Sequence, residues 1–364
     1  MKHVPLGTTS LMVSPICMGC MGFGDATKGQ HTWTLNEADS RAIIRSGFEN
    51  GINFFDTAIA YQSDTSEQYL GRALRDFARR EDVVVATKFL PRTQEEITGG
   101  VSGQQHIECM LNQSLRNLGM DYVDLYIYHM WDYRTPLEDV MDGLNRVVKA
   151  GKARYIGISN AFAWQVCKAN ALAEREGWAK FVSIQGHYNL IFREEEREML
   201  PFCRDAGIAV TPYSPLAGGR LTKHPGETSR RLIEDSYARL KYDATQAQDA
   251  AIINRVAEIA AQRETSMTAV SLAWLLRKGA VPVTGMTKPH HVQGAVDAAA
   301  LALTDDEASY LEAPYVPHAL VGVMAQNTAQ AADRPHVWST GNQKNETGGL
   351  KTVPKTRDKV SVIW

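Results

Sequence analysis

The 364-residue chain has almost no net charge: 39 Lys and Arg stand against 41 Asp and Glu, leaving −2. A near-neutral chain gives no electrostatic case for nucleic acid or an anionic membrane as partner, though it leaves room for a local basic pocket. No apolar run approaches the roughly eighteen residues that a membrane-spanning helix requires. The opening, Met1-Lys2-His3-Val4-Pro5-Leu6-Gly7, lacks the apolar stretch of a signal peptide. Cysteine is scarce and odd in number. Cys17, Cys20, Cys109, Cys167 and Cys203 are scattered along the chain, a pattern of reduced thiols and not of a disulfide framework. These absences make the cytoplasm the expected location. Metal ligands are missing too: Cys17-x-x-Cys20 has no second ligand pair, and His290-His291 are adjacent residues that do not share a helix face. The Cys17 and Cys20 thiols are expected in the core or lining the mouth.

What is present is apolar material, 44% of the residues, arranged in alternating strand and helix patterns. Eight short apolar runs read as buried parallel strands: 15–19, 53–55, 83–87, 123–128, 154–157, 181–184, 209–211 and 281–283. Helical spacing lies between them, as in Ser66–Phe77 and Asp139–Ala150. Alternating units imply a parallel sheet, open or closed. The open, dinucleotide-binding form wants Gly-x-Gly-x-x-Gly after the first strand, whereas Gly19-Cys20-Met21-Gly22-Phe23-Gly24 has another spacing. The expected fold is therefore an α/β (β/α)8 TIM barrel over residues 1–324. An N-terminal β-hairpin, Lys2–Leu6 with Leu11–Val13, should plug its bottom. A long charged loop after strand 7, about 214–247, has the character of a lid. Residues 325–364 show no amphipathic period until the last five, which predicts a flexible or non-native C-terminal tail.

Polar residues stand at the C-terminal ends of seven successive strands: Asp56, Lys88, His129, Ser159-Asn160, Gln185, Tyr213-Ser214, and Gly285-Met286-Thr287. In a closed barrel these ends converge on one mouth, where barrel enzymes place their active sites. Tyr61 lies just beyond Asp56. A free phenol, with a pKa of about 10, is a poor acid at neutral pH. An adjacent Lys88 ammonium is expected to lower it, with Asp56 as the lysine's counter-charge. His129 would donate a hydrogen bond to a substrate carbonyl, and Tyr61 would protonate it. Taken singly, each residue has a structural explanation: a strand-end cap, a packed ring, a satisfied histidine. Lys88 alone also fits a Schiff-base lysine, as in barrel aldolases. Together they describe a catalytic constellation.

Four segments carry a resemblance to the aldo-keto reductase superfamily. They are Gly51–Tyr61, Gly119–His129, Gly151–Asn160 and Tyr213–Gly219. Val4–Gly7, His31–Leu35, Trp131–Tyr133 and Arg193–Leu200 resemble its bacterial YajO-like branch. The resemblance implies an oxidoreductase with Asp56, Tyr61, Lys88 and His129 as catalytic tetrad. It implies that Ser159, Asn160 and Gln185 hold the nicotinamide carboxamide while Tyr213 stacks on the ring. Ser214, Leu216, Gly218 and Arg220 would follow the pyrophosphate. Gly285, Thr287, Lys288 and His291 would face the adenosine end. There the family's basic residue is replaced by His291, and Gly294 and Ala295 stand at the adenine contacts. Thr287 is expected to cap a helix whose N-terminus, with Lys288, takes a 2′-phosphate. NADP is thus the expected cofactor, with NAD as the alternative.

Phe23, Trp33, Trp131 and Tyr188 are expected to wall a pocket for a small-molecule carbonyl, an aldehyde or ketone, and no metal is expected. Arg193 and Lys223 keep sugars or sugar phosphates open as alternative substrates, in a dehydrogenase direction. An alternative of another class is a cofactor-binding regulatory subunit, like the potassium-channel β-subunits of this fold. The residues do not decide the oligomeric state.

Overall fold

A computed structural model describes residues 1–329. Two short strands, β1 (Val4–Pro5) and β2 (Met12–Val13), form the antiparallel hairpin. Eight more follow: β3 (Cys17–Gly19), β4 (Phe54–Asp56), β5 (Val84–Phe89), β6 (Val123–Tyr128), β7 (Ala153–Ser159), β8 (Phe181–Gln185), β9 (Ala209–Val210) and β10 (Val283–Gly285). They pair in parallel in chain order, with β10 beside β3. The ring closes where the Val281 and Val283 N–H groups donate to the carbonyls of Val210 and Pro212, each at 2.9 Å. This is the expected (β/α)8 barrel. Its last strand lies two residues later than the apolar run 281–283 predicted. Pro282 has no N–H for the ladder, and only its carbonyl is used, accepting from Cys17 N–H at 3.0 Å.

Strand parity decides what faces inward, because successive side chains point to opposite faces. Phe54, Val84, Ala86, Leu125 and Ile127 pack with Leu6, Leu11 and Val13 of the hairpin, which closes the bottom. Their neighbours Phe55, Val85 and Tyr126 join helix residues such as Leu70, Leu111 and Leu144 in the outer core. Two residues further along each strand, the inward parity reaches Asp56, Lys88, His129 and Gln185. The polar layer is therefore the top layer of the barrel filling. Inside, space is tight at Gly157: a Cβ there would stand 2.3 Å from Ser183 Oγ and 3.4 Å from Ile127 Cγ1.

The two helices predicted in detail form at Thr65–Phe77, one residue early at its start, and Leu137–Lys149, two residues early at its start and one at its end. The loop after β9 is more ordered than its composition suggests. It contains the short helices Arg230–Glu234 and Ser236–Tyr242, N-capped by Ser229 and Asp235. Ala217, Leu221, Ala238 and Tyr242 anchor it on Trp274 and Ile252. Most of the expected tail, residues 330–364, lies outside the described residues. Its first part does not hang free: Asn327 is buried, and its Nδ2 donates to the Trp131 carbonyl at 2.7 Å. Cys17 and Cys20 are fully buried. Burial, then the Asp56 charge, pushes both thiols up, which leaves them unreactive. No helix among the described residues is long and apolar enough to cross a membrane.

Candidate active site

Lys88 is the centre of the polar layer and is wholly buried. Its Nζ donates to Asp56 Oδ1 at 2.5 Å, to the Thr57 carbonyl at 2.9 Å and to Tyr61 OH at 3.0 Å. Those are all the protons an ammonium has. Burial alone pushes its pKa down, but Asp56 and then Tyr61 more than reverse that, leaving it raised. A permanently protonated, fully bonded amine has no lone pair to offer a carbonyl carbon. The Schiff-base reading of Lys88 loses its footing here.

Tyr61 reaches Lys88 from a turn in which Gln62, Ser63 and Asp64 all adopt left-handed backbone, with φ of 48°, 48° and 71°. Such a run is costly for non-glycine residues, and Gln62 shows how it is held. The Gln62 amide is buried, donating to the carbonyls of Asp25, Lys28 and His31 and accepting from the His31 N–H. Sequence reasoning missed this anchor; its one signal was adjacency to Tyr61. Against expectation, the Tyr61 pKa is raised. Burial raises it most, Lys88 opposes, and Asp56 adds to the rise. The lysine's charge is largely neutralised by the carboxylate, so the phenol rests as an acid with its proton in place.

His129 continues the inward parity one residue past β6. Its ring meets that of Tyr61 edge-on, with centroids 5.9 Å apart. Burial, then Lys88, pushes the imidazole down to about 3, so it is neutral. Its Nδ1 has no partner among the described residues.

The remaining strand-end residues form one connected arc. Gln185 Nε2 donates to Asp56 Oδ2 at 3.0 Å, and Ser159 Oγ to the Gln185 carbonyl at 2.8 Å. Asn160 donates to Ser159 Oγ and to the His129 carbonyl, each at 2.9 Å, and accepts from Tyr213 OH at 3.1 Å. The Tyr213 ring stacks on His187 at 5.4 Å and 9°, and His187 in turn on Phe192 at 4.1 Å. An arc of amides and hydroxyls beside a fixed aromatic face suits a flat ring bearing a carboxamide.

Further out the expectations fare unevenly. Ser214 has φ of 53°; its carbonyl accepts from Asn189 and its Oγ from Lys241, each at 2.9 Å. Leu216 and Gly218 follow, the latter with φ of 66° and packed against Ala238. Arg220, expected at a pyrophosphate, is ion-paired with Asp243 and packs on the Tyr242 ring. Gly285 faces Arg231, whose Nη1 would stand 3.5 Å from an added Cβ. Lys288, not Thr287, stands at the N-cap position of the helix Pro289–Ala300, without a side-chain capping bond. Pro289 forces the residue before it into extended backbone, which is the N-cap conformation. Thr287 N–H instead donates to His291 Nδ1 at 3.1 Å. Burial, then the nearby His290, Lys288, Arg231 and Lys223, pushes His291 down to about 4.

The four expected pocket aromatics are all largely buried, Trp33 at 9% and Trp131 at 8% exposed. Trp33 lies under the Arg231 guanidinium at 4.4 Å, and Trp131 sits 6.2 Å from the exposed ring of Trp164. Phe23 is fully buried in the outer core. Tyr188 is equally buried, packed on Trp274 with its OH on Glu196. Neither can wall a pocket. Arg193 is likewise engaged, by Glu196 and Glu312.

Comparison with known proteins identifies a family. Residues 15–315 match the model of the aldo/keto reductase family. Versiconal hemiacetal acetate reductase of Aspergillus parasiticus is 37% identical over 343 residues, 88% of this chain and 98% of that protein. A putative aryl-alcohol dehydrogenase of Saccharomyces cerevisiae is 34% identical, over 87% of this chain and 97% of its own. The crystal structure of the thermostable aldo-keto reductase Tm1743 with epalrestat superposes with a TM-score of 0.69 at 24% identity, covering 86% of this chain and 100% of that one. The chain belongs to the aldo/keto reductase family.

Proposed function

We propose that the protein is an NADP(H)-dependent reductase of aldehydes or ketones in which Tyr61 is the general acid. The observation that carries this reading is the Lys88 ammonium shared among Asp56, the Thr57 carbonyl and Tyr61 OH. A nicotinamide cofactor, when bound, supplies the hydride to the carbonyl carbon. Tyr61 gives its proton to the carbonyl oxygen as negative charge develops there. Lys88, one proton of which already points at Tyr61 OH, stabilises the phenolate left behind. Neutral His129 orients the carbonyl by a hydrogen bond. Ser159, Asn160 and Gln185 would hold the carboxamide of that cofactor, and Tyr213 would offer its ring to the nicotinamide. Catalysis belongs to the barrel of residues 1–324, and no chemistry is assigned to 325–364.

NADP is preferred over NAD because Lys288, Lys223 and Arg231 gather around His291 at the start of helix 289–300, where backbone N–H groups and the helix dipole also favour an anion. The substrate class is an apolar or aromatic carbonyl, facing Trp131 and Trp164. The names of the yeast and Aspergillus relatives point the same way, to an aryl alcohol and to a hemiacetal acetate. Sugar phosphates fit less well, since Arg193 is ion-paired elsewhere. Kinship with the bacterial YajO-like branch rests on short motifs alone, and the two relatives described above are fungal. Steady-state turnover of a panel of aliphatic, aromatic and sugar carbonyls with NADPH and NADH in parallel tests the reading. Fastest turnover is expected for aromatic aldehydes with NADPH. Tight cofactor binding without turnover of any carbonyl would instead favour the regulatory-subunit reading.

A further inference from the structure

Lys241 is the penultimate residue of the lid helix Ser236–Tyr242 and is buried, with 6% of its surface exposed. A lysine is seldom buried without a carboxylate in contact, yet Lys241 forms no ion pair among the described residues. The one acceptor it reaches there is Ser214 Oγ at 2.9 Å. Around it stand the rings of Tyr237, Tyr213 and Tyr242, at 4.8, 5.2 and 5.4 Å from Nζ. An ammonium has three protons to donate, and the aromatic faces offer only weak compensation. Arg220, the cation expected at the diphosphate, is turned to Asp243.

We propose that Lys241, rather than Arg220, is the cation that meets the diphosphate of the dinucleotide beside Ser214, its free protons awaiting phosphate oxygens. This rests on the dinucleotide reading given above. The lysine would then join the lid to the cofactor: Ser214 follows Tyr213, on which the ring would stack, and Lys241 would tie both to the lid helix. Other charges face Lys241 as well. Burial, opposed by Asp235 and assisted by Arg231 and Arg220, lowers its pKa to about 7. The three tyrosines that surround it all titrate higher still.

The test is Lys241→Met, which keeps the stem and removes the charge, with NADH, NADPH and inorganic pyrophosphate as probes. Cofactor affinity is read by quenching of protein fluorescence and pyrophosphate binding by thermal shift. Both cofactors should weaken by a common factor, on the order of ten- to a hundredfold, and the pyrophosphate shift should vanish. Wild-type affinity for both should fall as pH rises through neutrality, and that dependence should be lost in the variant. The melting temperature without cofactor should not drop, because an incompletely paired buried charge has been removed. Lys241→Arg should recover part of the binding. If the wild type binds both cofactors and Lys241→Met binds them equally well, the proposal is overturned while the dinucleotide reading stands. If the wild type binds neither, the dinucleotide reading itself fails. A variant that melts lower and is not rescued by arginine would show a lid anchor instead, which also overturns the proposal.

Discussion

The barrel mouth and the lid end of the site contain similar residue types but solve the problem of buried charge in opposite ways. At the mouth, Lys88 has every proton placed within the protein, with a carboxylate in contact. Under the lid, Lys241 reaches one hydroxyl and three aromatic faces. The first arrangement is complete by itself and preorganised, as the proposed proton-transfer site must be. The second is incomplete by itself, which suits a place where a ligand arrives and leaves.

The largest effect that separates the two is expected at Lys88. Lys88→Met leaves Asp56 buried with its ion-pair partner gone, and breaking a buried pair typically costs about 3–5 kcal/mol. Urea unfolding should show a loss of that size, partly recovered in the Asp56→Asn/Lys88→Met double variant. A loss no larger than for Lys241→Met would erase the distinction between the two lysines.

A smaller effect sharpens the outer region. Lys288→Ala should weaken NADPH by about 1–3 kcal/mol, the range of a charge-assisted hydrogen bond, and spare NADH. His291 should add nothing as pH falls from about 7.5 to 6, because burial and the surrounding cations keep it neutral until about pH 4. A preference for NADPH that climbs toward pH 6 would show that the imidazole takes up a proton with the phosphate. The sign for folding is separate. His129 and His291 both titrate lower in the fold than in the unfolded chain. The unfolded chain therefore binds protons first, and stability falls as pH drops below the free-imidazole value of about 6.5.

The same contrast explains what could be read from the sequence. Short apolar runs place the strands, and strand parity carries Asp56, Lys88, His129 and Gln185 inward together, so the fold and the mouth were legible. Positions fixed by close approach of distant segments were not. Phe23 and Tyr188 look like loop aromatics, but Phe23 packs into the outer core and Tyr188 against Trp274. Arg220 looks like a phosphate ligand until Asp243 is found beside it. The sign of the Tyr61 shift was misjudged because burial and the Asp56 charge outweigh Lys88, a balance that spacing alone cannot express. The shift of the helix cap from Thr287 to Lys288 is the exception, since the effect of Pro289 on the residue before it was available in the sequence.

The central claim is that Tyr61 donates the proton to the substrate oxygen, and single-turnover reduction of a good aldehyde by Tyr61→Phe tests it most directly. With NADPH bound beforehand, the variant should bind cofactor as the wild type does while the chemical step slows by about 10²–10⁴, the usual contribution of one acid–base group. Wild-type turnover by Tyr61→Phe would contradict the assignment and move the proton donor to another group at the mouth.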